Sequence, residues 1–447
     1  MDVDLVVKGD IVLPSGILRD SYIAVKESKI VGILHNSLGL KASEYVDATG
    51  CLILPGLIDT HVHTLSNPDE GIERLTAAAA AGGVTTVIDM PYDAEQPIIN
   101  ATRLKNKIER VAEEAHVDMG LYGTIAKENG VDAIPELIEA GVLAFKFSTF
   151  ETDPNRFPRI SDFDLMKAFS IISRTTLPIV IHAENDEIIK GLISEHIGED
   201  DTGVHLRTRP PLSETSAIVR VLEIGLWTGA HVHIAHVTHP HGFELINMYR
   251  SLGAKATGET CVHYLALDSE DVSRLGAIAK VNPPIREPEI RLKLWEAIKD
   301  GKVDTITTDH APWPLDRKQQ PMLKASSGIP GLESFLPIMY SEFVERDIPL
   351  TRFVELTSSR PAEIFGLKDR KGKLDIGMYA DFVIYDPRKS SVYDASKSFS
   401  VAKWSPFNGR GIIGQVVATY VRGTKVFEDG KVLSRPGFGI FLRNAYT

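Results

Sequence analysis

Eight short apolar, β-branched runs recur along the chain, at 52–58, 84–89, 117–122, 142–147, 178–181, 231–237, 254–261 and 303–308, and a helical pattern separates each from the next. Runs of this length and composition read as parallel strands buried on both faces. Eight of them alternating with helices predict an α/β fold, a (β/α)8 TIM barrel. Chemistry in such a barrel sits at the carboxyl ends of the strands. This chain delivers capable side chains there again and again: His61 and His63 after the first run, Lys146 in the fourth, His182 after the fifth, His236 in the sixth and Asp309 after the eighth. In a strand, residues two apart point to the same side, so the imidazoles of His61 and His63 can reach one metal ion.

The two chain ends read differently from the middle. DLVVKGD, DIVLPSG and YIAVKESKIVGI before the barrel, and KGKLDIGMYADFVIYDP and VVATYVRGTKVFEDGKVL after it, are strands with turns, Asp429-Gly430 being a hairpin signal. They predict one small β-sandwich built from both ends, residues 1–52 and 371–447, with the catalytic barrel at 53–370 inserted between. The balance of 43% hydrophobic and 24% charged residues is that of an ordinary globular chain. A net charge of -11 without any block of Lys and Arg disfavours nucleic acid or an anionic membrane surface as a partner. MDVDLVVKGD lacks the basic start and apolar core of a signal peptide, and no apolar stretch approaches the length of a membrane span. With two cysteines a disulfide framework is excluded, and a cytoplasmic location is expected. Cys261 ends a strand, where a buried packing role is favoured over a nucleophilic one.

HVH, the lysine of FKFS, HAEN, HVTH and TTDHAP occur in this order between the two strand-rich ends, followed by GETCVHYL, KVNPPIR, SGIPGLE, TSSRPAEIFGL and KWSPFNG. In these motifs, over nearly its whole length, the chain resembles the amidohydrolase superfamily, and within it the cyclic amidohydrolases: hydantoinases, dihydropyrimidinases, allantoinases and dihydroorotases. The resemblance implies a pair of divalent metals, usually zinc, bridged by a lysine carboxylated with carbon dioxide, here Lys146. Burial among Phe145 and Phe147 suits that lysine, because it favours the neutral amine. By the same resemblance His61, His63 and Asp309 serve one ion, and His182 and His236 the other. Such a pair holds a hydroxide that attacks the ring carbonyl, with Asp309 as the base that then returns the proton to the leaving nitrogen.

Other histidines are set apart from this group. His233 lies on the opposite side of its strand from His236, and His239 and His241 fall in the following loop. His310 is a candidate for the pocket wall, His263 a candidate contact to a ligand or the substrate, and Asp89 a strand-end carboxylate able to orient a neighbour.

The substrate expected is a small-molecule cyclic amide. Dihydroorotases resembling this chain grip a substrate carboxylate with an arginine and an asparagine where Leu65 and Tyr92 stand here, which disfavours that substrate. Arg156 and Arg159, after the fourth run, are the cations left to hold one. The tyrosine that dihydropyrimidinases and D-hydantoinases place five residues after the lysine is Glu151. KWSPFNG and GFGIF are most similar to L-hydantoinases and allantoinases, implying a five-membered cyclic ureide, hydantoin or allantoin, whose ring amides meet Asn282 and Gly328. Dihydroorotase or dihydropyrimidinase activity stands as the alternative. A metal-free scaffold related to dihydropyrimidinases is the non-enzymatic alternative, and the full ligand set argues against it; Lys146 argues against a mononuclear deaminase. Relatives of this kind are homodimers or homotetramers, and the same is expected here.

Overall fold

The computed structural model describes residues 2–37 and 39–444. Residues 445–447, the end of the expected carboxyl-terminal sandwich part, lie outside the described residues, as do Met1 and Leu38. Four strands come first: β1 (Asp2–Leu13), β2 (Gly16–Lys26), β3 (Lys29–Leu34) and β4 (Lys41–Pro55). The barrel strands follow: β5 (Leu57–Val62), β6 (Val84–Asp89), β7 (Asp118–Gly123), β8 (Ala144–Ser148), β9 (Ile179–His182), β10 (Val232–Ile234), β11 (Ala256–Cys261) and β12 (Thr305–Thr307). The last four are β13 (Phe382–Val392), β14 (Gly411–Val421), β15 (Thr424–Glu428) and β16 (Lys431–Val432).

Strands β5 to β12 are parallel and hydrogen-bonded in sequence order. Closure comes from the two ends of this sheet: Val62 bridges His310 in parallel, and the His63 N–H donates to the His310 carbonyl at 2.9 Å. That seam brings the HxH pair of β5 against Asp309, which follows β12. Helices cover the outside, several started by side-chain caps of the expected kind: Asn100 accepts from the Arg103 N–H, Ser161 from Asp164 and Asn185 from Ile188. Among the described residues no helix is long and apolar enough to cross a membrane.

The second sheet mixes both chain ends in the order β16-β15-β14-β13-β4-β1-β2-β3. Here the structure corrects the first of the eight sequence runs. Residues 52–55 finish β4, paired with β1 and β13, and the barrel strand begins only at Leu57. The run looked continuous because the end of β4 is buried on both faces: Leu52 and Leu54 pack into the barrel's core, while Cys51 and Ile53 pack into the sandwich's own. Gly56 makes the step between the sheets. Its N–H donates to the Asp381 carbonyl, and a Cβ there would lie 2.2 Å from the Thr85 hydroxyl oxygen. A buried ion network fastens the two parts, with Lys371 between Asp118 of β7 (2.7 Å) and Asp381 (2.6 Å), and Arg422 also on Asp118.

Candidate active site

All six residues expected as ligands converge at the carboxyl-terminal mouth of the barrel, on one cleft that Asn282 and Gly328 also line. Their rings form a chain of contacts: His61 lies 5.5 Å from His63 and 5.4 Å from His236, and His236 lies 4.6 Å from His182, centroid to centroid. His61 and His63 each place Nε2 near the same Asp309 oxygen, at 3.3 and 3.2 Å, and one ligand atom from each of the three falls within 4.8 Å of the others. Two of the six stand in the left-handed backbone region, His236 at φ 39° and Asp309 at φ 47°. Non-glycine residues hold that conformation at a cost of about 1–3 kcal/mol, and such strain collects at functional sites.

Carboxylates behind the rings fix their tautomers. Glu259, fully buried on β11, accepts from His61 Nδ1 at 2.5 Å, which leaves Nε2 of His61 bare toward the cleft. The same carboxylate receives the Thr60 hydroxyl, His233 Nε2 and the His236 backbone N–H, each at 3.3 Å. Burial would raise its pKa, but His61 and His233 outweigh that and hold it well below the usual carboxylate range. Glu184 treats His182 alike, accepting from Nε2 at 2.8 Å so that Nδ1 faces His236 Nε2 at 2.9 Å. Burial pushes Glu184 up, yet its ion pair with Arg209 and its bond to His182 bring it down to about 2. Asp59 ties β5 to the end of β12 by accepting from the His61 N–H (3.1 Å) and the Thr308 hydroxyl. The sequence reading missed Glu259, Glu184 and Asp59. For the first and last, the available signal is an acid inside a strand that is otherwise wholly buried.

Lys146 is the unusual member. It is 1% exposed, and its amine, buried in the cleft wall, has no hydrogen-bond partner. Burial lowers its pKa to about 8 against the opposing pull of Glu259 and Asp309. Asp309 shows the opposite balance: burial raises its pKa, but His61 and His63 dominate and hold it at about 2.

The remaining candidates sort as follows. Asn282 lines the cleft with its side-chain carbonyl buried and unpartnered. Gly328, at φ 130°, lines it too, but its N–H is spent on the Lys280 carbonyl (3.0 Å) and its own carbonyl receives Lys318 Nζ (2.8 Å). A Cβ on Gly328 would stand 2.7 Å from the Ala311 Cβ. His310 is not a cleft residue: its Nδ1 accepts from the Gly331 and Leu332 N–H groups, and its Nε2 meets Glu70 at 3.3 Å. His233 is turned onto Thr257 and Glu259, His239 caps a helix by accepting from the His241 N–H, and His241 pairs with Glu244 at the surface. His263 is buried against Tyr264 and senses the charge of Asp309. Asp89 accepts from the N–H and hydroxyl of Thr64 beside His63 and pairs with the buried Lys107. Cys261 packs, with burial pushing its thiol pKa well up.

Of the positions expected to decide the substrate, Tyr92 lines the cleft and stacks on Phe157 (3.8 Å, 19°), whereas Leu65 lines a neighbouring cavity with Asp93 and Lys107. Glu151 pairs with Lys127 away from the cleft. Arg159 is paired with Asp186 at 3.5 Å, while Arg156 lines the cleft itself.

Known proteins match along nearly the whole chain. The model of the amidohydrolase family matches residues 52–426. An L-hydantoinase of Paenarthrobacter aurescens is 34% identical over 98% of either chain, and an allantoinase of Desulfitobacterium hafniense 33% identical over 97% of either. The solved structure of an L-hydantoinase (dihydropyrimidinase) from Arthrobacter aurescens superposes with a TM-score of 0.95 at 33% identity, covering 99% of this chain and 100% of that one.

Proposed function

The chain belongs to the amidohydrolase family, and on that premise we propose that it opens a five-membered cyclic ureide, a hydantoin or allantoin, by metal-dependent hydrolysis of a ring amide. The observation that carries this reading is the orphaned Lys146 amine between two groups of ligands. His61, His63 and Asp309 suffice for most of one coordination shell, but His182 and His236 give only two nitrogens, fewer than a zinc site uses. Carboxylated with carbon dioxide, Lys146 would complete the set of residues that hold two ions, and its amine would no longer be unpartnered. The donor set of imidazoles and carboxyl oxygens suits zinc. Held by these residues, two such ions would supply an acidified water and polarisation of the scissile carbonyl.

The chain's own residues account for the rest. Glu259 and Glu184 hold His61 and His182 in the tautomers that leave lone pairs on the cleft. Asp309, ionised beside His61 and His63, takes the proton of the attacking water and delivers it to the ring nitrogen as the C–N bond breaks. Asn282 offers its free carbonyl to a ring N–H, and Gly328 keeps the space in which the ring lies. Both cysteines are free and buried, consistent with a reducing compartment.

The test combines metal analysis with a panel of hydantoin, allantoin, dihydrouracil and dihydroorotate assayed for ring opening. About two tightly held divalent ions per chain are expected, with turnover fastest on hydantoin or allantoin, and Lys146→Ala should lose both the second ion and turnover. An active preparation holding a single ion, or a fully active Lys146→Ala, overturns the reading.

A further inference from the structure

Resting on that reading, we propose that the natural ring carries an anionic substituent, a carboxylate, which Arg156 receives. Arg156 belongs to an ordered turn: Asp153 and Phe157 exchange backbone hydrogen bonds of 3.2 and 2.9 Å across it. Asp153 accepts the N–H groups of Asn155 and Arg156, each at 2.9 Å, and its charge favours the guanidinium without forming an ion pair with it. The guanidinium is anchored at one point, Nη1 donating to the Ser66 carbonyl at 3.2 Å, and lies 5.9 Å from the Trp313 ring. A guanidinium has five N–H donors, so most of its capacity is left to the cleft it lines with Lys146, His182 and Asp309.

Four other shielded arginines, Arg209, Arg286, Arg410 and Arg422, each end on a carboxylate: Glu184, Glu214, Glu342 and Asp118. Arg103, held like Arg156 by a backbone carbonyl, that of Pro97, lines the neighbouring cavity with Asp93 rather than the cleft. A partly desolvated guanidinium that makes no ion pair is an unfavourable arrangement, and a carboxylate that binds it bidentately relieves that. Arg317, 5.1 Å from the same Trp313 ring, adds positive potential at Arg156. Arg159, the other cation of this loop, already has Asp186. The turn anchored by Ser66, itself 3.2 Å from His63 Nδ1, therefore couples the ligand cage to a site for an anion on the substrate.

The holoenzyme decides this with two isosteric rings, hydantoin-5-acetate and hydantoin-5-acetamide, alongside unsubstituted hydantoin. Charge-assisted bonds are about twice as strong as neutral ones, so kcat/KM should be at least about tenfold higher for the acetate than for the acetamide. In Arg156→Gln that ratio should fall toward one, and in Arg156→Lys it should fall less. A wild-type ratio at or below one overturns the proposal, as does a high ratio that survives Arg156→Gln. If the Gln variant does not fold by circular dichroism, the wild-type ratio and the Lys variant still decide. Opening of hydantoin with both substituted rings refused also overturns it while leaving the hydrolase reading intact. Failure to open any of the three rings removes the hydrolase reading and this inference with it.

Discussion

Glu259→Gln perturbs the cage without touching the cleft. The native carboxylate accepts four contacts: His61 Nδ1 at 2.5 Å, and the Thr60 hydroxyl, His233 Nε2 and the His236 N–H at 3.3 Å. Glutamine keeps the shape, but one oxygen becomes an NH2 that faces donors whichever way the amide is turned. If the NH2 meets His61, the ring must flip its tautomer and direct an N–H at the ion. If it meets Thr60 and His233, those lose their acceptor. Either way one charge-assisted bond of about 1.5–3 kcal/mol is lost and a buried donor is stranded. Because the carboxylate also raises the basicity of His61, the ion shared with His63 and Asp309 should bind about 10- to 100-fold more weakly, equivalent to about 1.4–2.7 kcal/mol. The assay is competition between the metal-free protein and a chelator of known affinity, with circular dichroism of the apo form to confirm folding. A folded variant that binds its first ion within twofold of wild type refutes the argument that Glu259 sets the His61 tautomer.

Gly328→Ala should lower stability by about 1–3 kcal/mol and raise KM, because an alanine at φ 130° is strained and its Cβ meets the Ala311 carbonyl oxygen at 2.9 Å; wild-type melting and kinetics together would exclude this. His205 predicts a pH effect away from the cage. It is buried, bonded to the Val281 carbonyl at 2.9 Å, and burial sets its pKa well below 6.5. Its folded pKa is thus depressed relative to the unfolded one, so its contribution is complete above pH 6.5 and is lost as pH falls toward the folded value. Urea unfolding should show a loss of up to about 1.4 kcal/mol per pH unit below 6.5 from this residue, and His205→Gln should flatten that slope; an unchanged slope would mean that another group carries it.

The barrel was legible because each strand is an apolar run interrupted by helices, and the convergence of the six expected ligands on one cleft because they sit at or near the ends of those runs. Patterning misjudges residues 52–55, since an edge between two cores gives the same continuous burial as a barrel strand. Similarly, His310 follows Asp309 and reads as a cleft residue, yet the closing seam turns its ring onto Glu70 and the N–H groups of Gly331 and Leu332. Adjacency in sequence gives no information about which side of the seam a ring takes.

What supports the site was hidden for a different reason. Glu259 lies 198 residues from His61, and Arg156 lies 90 from the Ser66 carbonyl that anchors it. Only the closure of β5 onto the segment after β12 and the stacking order of β9, β10 and β11 bring such partners together. An isolated acid in a strand or an arginine in a loop carries no period by which it can be read. Its meaning is a balance of charge that exists only once the chain is folded. Glu259 is satisfied four times over, the Lys146 amine has no hydrogen-bond partner, and Arg156 is held by the Ser66 carbonyl without an ion pair. Lys280 and Lys318, also buried without an ion pair, give their amines to backbone carbonyls, whereas the Lys146 amine has no acceptor and Arg156 has one, and on the proposed reading carbon dioxide and an anionic substrate would meet these two groups.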